Sequence, residues 1–258
     1  MKSSDSNPLR PAELLAPDAW VQIDFLSDLH LAPQTPATLA ALQHDLLNTP
    51  AQAVFLLGDI FEVWIGDDTR FEPFEAQCTA LLAAASHRLE LFFMAGNRDF
   101  LVGELMLKAC GIQALSDPTV LTAFGQRWLL SHGDALCLAD LPYQAFRTQV
   151  RSTAWQDQFL AQPLEVRRAL ARQMREASQA SQAQSSDWID LDTSACEQLL
   201  EQTGCQALIH GHTHRPAVHA LAPGLQRHVL SDWDFDGSSP RGDVLRLSGN
   251  GLLRLHPA

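Results

Sequence analysis

Two mixed β-sheets packed on each other with helices outside are what this 258-residue sequence predicts. In the first half, apolar runs of strand length alternate with leucines at helical spacing. From residue 206 on, short strands are broken by Gly, Pro and Asn. Five apolar runs also end in residues able to hold a metal: Asp28 and His30, Asp59, Asn97 and Asp99 (which flank Arg98), His132 with Asp134, and His210, His212 and His214. Strand carboxyl ends are where open α/β sheets place their chemistry.

Taken in order, residues 1–19, with Pro8, Pro11 and Pro17, read as an irregular arm ahead of one domain over 20–258. Residues 20–27 predict a first strand, and 37–47 a helix through Leu39, Leu42, Leu46 and Leu47. The apolar run 53–57, closed by Gly58, predicts a buried strand that delivers Asp59 at its end and completes a βαβ unit. A helix over 71–86 with Phe71, Phe74, Leu81 and Leu82 leads to a strand over 89–95, then to a short helix over 101–109 that Gly111 terminates. Shorter strands are expected near 119–131, and at 207–209, 217–221, 227–230, 244–247 and 252–255. Between them, 140–190 is strandless and rich in Gln, Ala and Arg, and predicts a helical insertion. Within it Val166, Leu170, Met174 and Ala177 share one helix face, while Arg168, Arg172 and Arg175 line another. An ordinary solvated helix explains that stripe, and so does a phosphate-rich ligand beneath it.

Eighteen Lys plus Arg stand against 30 Asp plus Glu, a formal charge of −12. That balance disfavours a broad grip on nucleic acid, so an anionic substrate needs local metal or arginine. Five widely spaced cysteines without a CxxC pair indicate neither a disulfide framework nor a zinc ribbon, and suit a reducing cytoplasm. No run reaches the roughly 18–20 apolar residues of a spanning helix, and residues 1–19 lack the apolar core of an export signal.

Asp28, His30, Asp59, Asn97, His132, His212 and His214 together supply two carboxylates, an amide and four imidazoles. Mn²⁺, Fe²⁺, Co²⁺ and Zn²⁺ accept that mixture, and the lack of thiolate argues against a structural zinc. Asp59 is the candidate bridge: a carboxylate can hold two cations about 3.5–4 Å apart with its two oxygens, the arrangement that serves in-line displacement at phosphorus.

The ordered set DxH (Asp28, His30), GD (Asp59), GN (Asn97), a single His (His132) and GHxH (His212, His214) resembles the calcineurin-like metallophosphoesterases. The resemblance implies a four-layer αββα sandwich. It places Asp28, His30, Asp59 and His214 on one metal, and Asp59, Asn97, His132 and His212 on the other. Where many members carry a histidine after GN, this chain has Arg98, which stays charged and cannot donate a proton near neutrality. A leaving group that needs no proton is then expected, such as the phosphate of a P–O–P linkage, with Asn97 and Arg98 as the catalytic pair.

The wording GDIFEVWIGDD, GNRDFL, YQAFRTQVRS and IHGHTHRP resembles one subfamily, the UDP-2,3-diacylglucosamine diphosphatases of lipid A biosynthesis. That resemblance implies two Mn²⁺ per chain and release of UMP and 2,3-diacylglucosamine 1-phosphate. It also implies a peripheral position on the cytoplasmic face of a Gram-negative inner membrane, against its anionic surface, with neither nucleic acid nor an obligatory protein partner. Substrate contacts are implied for Asn97, Arg98, Asp140, Ser178 and His212. Two further positions, usually amide- or lysine-bearing, align with Gln182 and Ser185, which leaves an arginine of the stripe as candidate for the missing lysine. Rival readings are a pyrophosphatase for a soluble nucleotide-sugar or CDP-alcohol, a non-enzymatic scaffold, which should have lost ligands, and a DNA nuclease, which the charge disfavours. A diacyl lipid needs an apolar trough, for which Trp155, Phe159, Leu160, Leu164, Val166, Leu170 and Trp188 are candidates.

Overall fold

A computed structural model describes residues 11–184 and 189–257, with the backbone alone over 177–184. The first half of the chain supplies four strands of one six-stranded sheet. Strand β1 (Ala12–Leu15) precedes it, then β2 (Gln22–Leu26), α1 (Pro36–Asn48), β3 (Ala53–Leu57), α2 (Pro73–Ser86), β4 (Glu90–Met94), α3 (Glu104–Cys110) and β5 (Ile112–Leu115) follow in succession. Strands β2 to β5 pair in parallel, as helical crossovers require. The second half contributes β6 (Thr119–Ala123), β7 (Gln126–Leu130), the helices α4 (Leu141–Val150), α5 (Thr153–Leu160), α6 (Leu164–Gln184) and α7 (Thr193–Thr203), and then β8 (Ala207–His210), β9 (Ala217–Ala220) and β10 (Gln226–Val229). The antiparallel pair β11 (Val244–Ser248) and β12 (Gly251–Leu255) returns to the first sheet beside β2. The strand orders are β12-β11-β2-β3-β4-β5 and β1-β6-β7-β8-β10-β9, both mixed.

Period-two alternation assigns the layers. Phe25, Phe55 and Phe92 stand in register across β2, β3 and β4 and face the second sheet with Leu121, Leu130 and Ile209. The Phe55 and Phe92 rings stack 4.5 Å apart. The alternate residues Val54, Leu56, Leu91 and Phe93 face outward onto Leu39, Leu42 and Leu46 of α1, Leu82 of α2 and Leu107 of α3. On the opposite side Val120, Leu129 and Leu208 pack on Cys196 and Leu200 of α7. The result is the expected αββα sandwich. Because both faces of β3 are covered, all five of its residues are buried, and its sequence reads as an unbroken apolar run.

Three expectations change. Ala12–Leu15 lies inside the segment read as an irregular arm, yet it pairs in parallel with β6, and Leu14 packs on the inter-sheet core. Four residues between prolines are too few for periodicity to announce a strand; the unpaired edge of β6 recruits them. Strand β5 and helix α7 were not anticipated, although Asp192 caps α7 by accepting the Ala195 N–H at 2.8 Å, and Gly204 ends it in a left-handed conformation. On α6 the packed face carries Leu164, Leu170, Ala171 and Met174, whereas Val166, placed on that face by its spacing, is exposed. The position facing the core is instead taken by Arg167, which is 3% exposed.

Candidate metal centre

All seven sequence-selected donors sit in loops at strand carboxyl ends: Asp28 and His30 after β2, Asp59 after β3, Asn97 after β4, His132 after β7, and His212 and His214 after β8. The loops are tightly turned. Six non-glycine residues among those described have positive φ, and five of them are Asp28, His30, Asp59, His212 and His214. Such backbone costs energy and clusters at functional sites. It is held here by cross-loop bonds, Asp28 N–H to Gly58 O and His30 N–H to Asp59 O, each 3.0 Å. The motif glycines answer to close approach: a Cβ on Gly96 would stand 2.2 Å from Asp59 Oδ1, and one on Gly211 would stand 2.2 Å from Asp28 Oδ2.

Each central carboxylate is anchored by one oxygen and offers the other. Asp28 Oδ2 accepts from Ser27 Oγ at 2.6 Å and from the His212 N–H at 2.9 Å, leaving Oδ1 3.2 Å from His214 Nε2. Asp59 Oδ1 accepts the Arg98 N–H at 2.8 Å, leaving Oδ2 3.7 Å from His132 Nε2 and 3.6 Å from Arg98 Nε. Asp59 is expected to serve two cations; the Arg98 N–H engages Oδ1, and Oδ2 is the oxygen that faces His132. Around these carboxylates the donors form two groups. His30 Nε2 and His214 Nε2 face each other at 3.2 Å beside Asp28. Asn97 Oδ1 lies 3.0 Å from His132 Nε2 and 2.9 Å from His212 Nδ1. Imidazole nitrogens and carboxylate oxygens converging without an ammonium among them suit divalent cations.

The electrostatics agree. Burial would raise the Asp28 carboxyl, but the His214 bond and the neighbouring imidazoles hold it well below the usual range. Burial pushes His30 down to about 4. Burial would also lower His132, yet Asp59, Asp28 and Asp134 outweigh it and push that imidazole up to about 9. Enclosed, ionised carboxylates thus make a field that favours positive charge.

Sequence reasoning noted Asp99 and Asp134 only as strand-end residues and gave them no part in bracing this cluster. Asp99, fully buried, accepts the backbone N–H groups of Ile60 at 2.7 Å and Gly96 at 2.8 Å and so fixes the Asp59 and Asn97 loops together. Burial and the nearby Asp59 push its carboxyl up to about 6. The chain order GNRD contained it, but a carboxylate spent on backbone has no spacing signature. Behind His132, Asp134 accepts from Tyr143 Oη and from Arg147 Nε at 2.8 Å, and Arg151 reaches Gly96 O at 2.8 Å. These bonds dock α4 against the site.

Expectations in the insertion fare unevenly. Asp140 caps α4, accepting the Tyr143 N–H at 3.0 Å. Ser178 and Gln182 have no described side chains, and Ser185 and Trp188 lie outside the described residues. Two of the three stripe arginines pair with acids between Asp59 and α2: Arg168 with Glu72 at 3.1 Å, and Arg175 with Glu62. Of the trough candidates, Phe159 is 5% exposed in the core and stacked on Trp155 at 4.8 Å. Leu160 and Val166 are exposed, and Leu164 and Leu170 pack against the core.

A model of the calcineurin-like phosphoesterase family matches residues 21–216. The chain is 46% identical over 242 residues to a UDP-2,3-diacylglucosamine hydrolase of Xanthomonas oryzae pv. oryzae, covering 88% of this chain and 96% of that one. It is 42% identical over 233 residues to the UDP-2,3-diacylglucosamine hydrolase of Stenotrophomonas maltophilia, covering 85% and 94%. Among solved structures it is similar to vacuolar protein sorting 29 from Cryptosporidium parvum, at 14% identity and a TM-score of 0.48, over 91% of this chain and 89% of that one.

Proposed function

The chain belongs to the calcineurin-like phosphoesterase family, and we propose that it hydrolyses the pyrophosphate linkage of UDP-2,3-diacylglucosamine to UMP and 2,3-diacylglucosamine 1-phosphate. The observation that carries this reading is Arg98, held over Asp59 beside the convergent donors in the place of a proton donor. Asp28, His30, Asp59 and His214 would hold one cation, and Asp59, Asn97, His132 and His212 a second, with Mn²⁺ the ion proposed. Such cations supply Lewis-acid stabilisation at phosphorus and a more acidic water.

The protein's own groups do the rest. Arg98 is tethered through its backbone N–H to Asp59 and through its guanidinium to Glu62 at 2.9 Å, while its Nε is buried without a hydrogen-bond partner among the described residues. A phosphate oxygen would satisfy that donor, and the fixed guanidinium offsets charge as the anhydride bond breaks. No side chain has to protonate the departing phosphate, whose last ionisation lies near pH 6 on the phosphomonoester analogy. His212 and Asn97 would also touch substrate, as would Asp140 and Ser178 of the insertion. The helices over 140–190 are proposed as a lid. Among the described residues no helix is long and apolar enough to cross a membrane, and we place the protein peripherally at the cytoplasmic face of the inner membrane, where its lipid substrate would be met.

Purified protein assayed with Mn²⁺ on UDP-2,3-diacylglucosamine, UDP-N-acetylglucosamine and p-nitrophenyl phosphate tests the proposal. Turnover is expected on the first alone. Comparable turnover of UDP-N-acetylglucosamine would move the assignment to a soluble nucleotide-sugar pyrophosphatase.

A further inference from the structure

Glu62, three residues after Asp59, stands where three parts of the molecule meet. Its backbone is pinned beside β2's loop: Glu62 N–H donates to Leu31 O at 3.1 Å, next to a bridge between Leu31 and Phe61. Trp64 N–H donates to Arg98 O at 3.3 Å, which ties the same segment to the loop after β4. The side chain is 18% exposed, and each of its oxygens is engaged. Oε2 lies 3.0 Å from His30 Nδ1. Oε1 takes Arg98 Nη1 at 2.9 Å and also Arg175 Nη2 from α6.

The His30 contact is informative because Nδ1 of that ring is buried and has no hydrogen bond to any other described residue. Glu62 Oε2 faces that nitrogen at 3.0 Å, within the reach of a hydrogen bond. A histidine that offers one ring nitrogen to a cation donates its other N–H to a carboxylate or carbonyl, which fixes tautomer and orientation. His132 does this through Leu57 O at 2.9 Å from Nδ1. For His30 the group in place is Glu62.

We propose that Glu62 is a positioning residue with two tasks: Oε2 orients His30 so that Nε2 faces the Asp28–His214 half of the centre, and Oε1 latches α6 over the site through Arg175. One carboxylate then couples the shape of the metal half-site to the docking of the insertion. Two further pairs stand along the same contact, Arg167 with Asp68 at 2.9 Å and Arg168 with Glu72 at 3.1 Å. Neither acid touches a metal donor in the described contacts, so Glu62 is where docking and ligand orientation converge. The metal half of this inference rests on the cation sites proposed above, whereas the latch half does not.

The test uses the full chain and Mn²⁺ alone as probe, with Mn²⁺ affinity read by chelator competition and amide hydrogen exchange read over residues 164–176. Glu62→Ala should weaken Mn²⁺ binding about 10- to 100-fold and speed exchange of α6. Glu62→Gln should recover part of the affinity, because its carbonyl still accepts from His30, while α6 exchanges fast because a neutral amide does not hold Arg175. Arg175→Met should speed α6 exchange and leave Mn²⁺ affinity within about twofold of wild type, since it leaves Oε2 on His30. Wild-type affinity in Glu62→Ala overturns the positioning task, and unchanged protection of α6 in Arg175→Met overturns the latch. A wild-type chain that takes up no Mn²⁺ sinks the cation sites themselves, while the exchange readout still decides the latch.

Discussion

Asp59 has one oxygen tied to the Arg98 N–H and one facing the donors, so Asp59→Ala removes the proposed bridging carboxylate and the anchor of the Arg98 loop at once. Loss of turnover and of metal from both positions is expected, with elemental analysis as the measurement; two metals retained per chain would take Asp59 out of the bridge. Asp67 and Asp68 are the controls, because their carboxylates are spent elsewhere. Asp67 accepts the N–H groups of Gly103 at 2.8 Å and Met106 at 3.0 Å, and Asp68 pairs with Arg167. Arg98→Lys keeps the charge and loses the planar fork, and should lower kcat about 100-fold or more with metal content unchanged. At this scale the sequence was highly legible for ligands, whose types and order recur in loops. It was poorly legible for Asp99, Asp134 and Glu62, whose value lies in what they touch.

Helix α6 shows what periodicity can and cannot do. Spacing found the helix and its two faces, but it set Val166 inward and gave no sign that Arg167 is buried. Arg167 is buried because its guanidinium satisfies Gln162 O at 3.0 Å, Ile65 O and the Asp68 carboxylate. The aromatic contacts of α5 bear on the trough. Phe159→Ala empties a core position and should cost about 3–5 kcal/mol in urea unfolding, lowering activity on diacylated and deacylated substrates alike. Leu160, 41% exposed on the same helix, is the cleaner probe. Leu160→Ala should change stability by no more than about 0.5 kcal/mol, yet lower catalytic efficiency on the diacyl substrate about tenfold relative to UDP-glucosamine if that face receives acyl chains. Equal losses on both substrates would remove Leu160 from the trough.

For the molecule as a whole, the site lies where loops from both sheets meet, so metal and fold should support each other. Chelation is expected to abolish activity and lower the melting temperature, and added Mn²⁺ to restore both; an unchanged Tm would show that the loops hold their shape without cations. Deleting residues 1–16 strips β1 from the edge of β6 and should promote self-association, measured by light scattering. The sequence by itself determined the βα order of the first half, the short strands of the second, the strandless insertion and the seven candidate donors that the fold brings together. Each of these is written in local periodicity or in residue type at a strand's end. Only the tertiary structure decided that β1 joins a sheet, that Arg168 and Arg175 of the basic stripe pair with Glu72 and Glu62, that Asp59 Oδ1 is held by the Arg98 N–H, and that Glu62 joins His30 to α6. Those facts depend on which distant loops are brought within about 3 Å, the reach of a hydrogen bond, and no pattern along the chain encodes that distance.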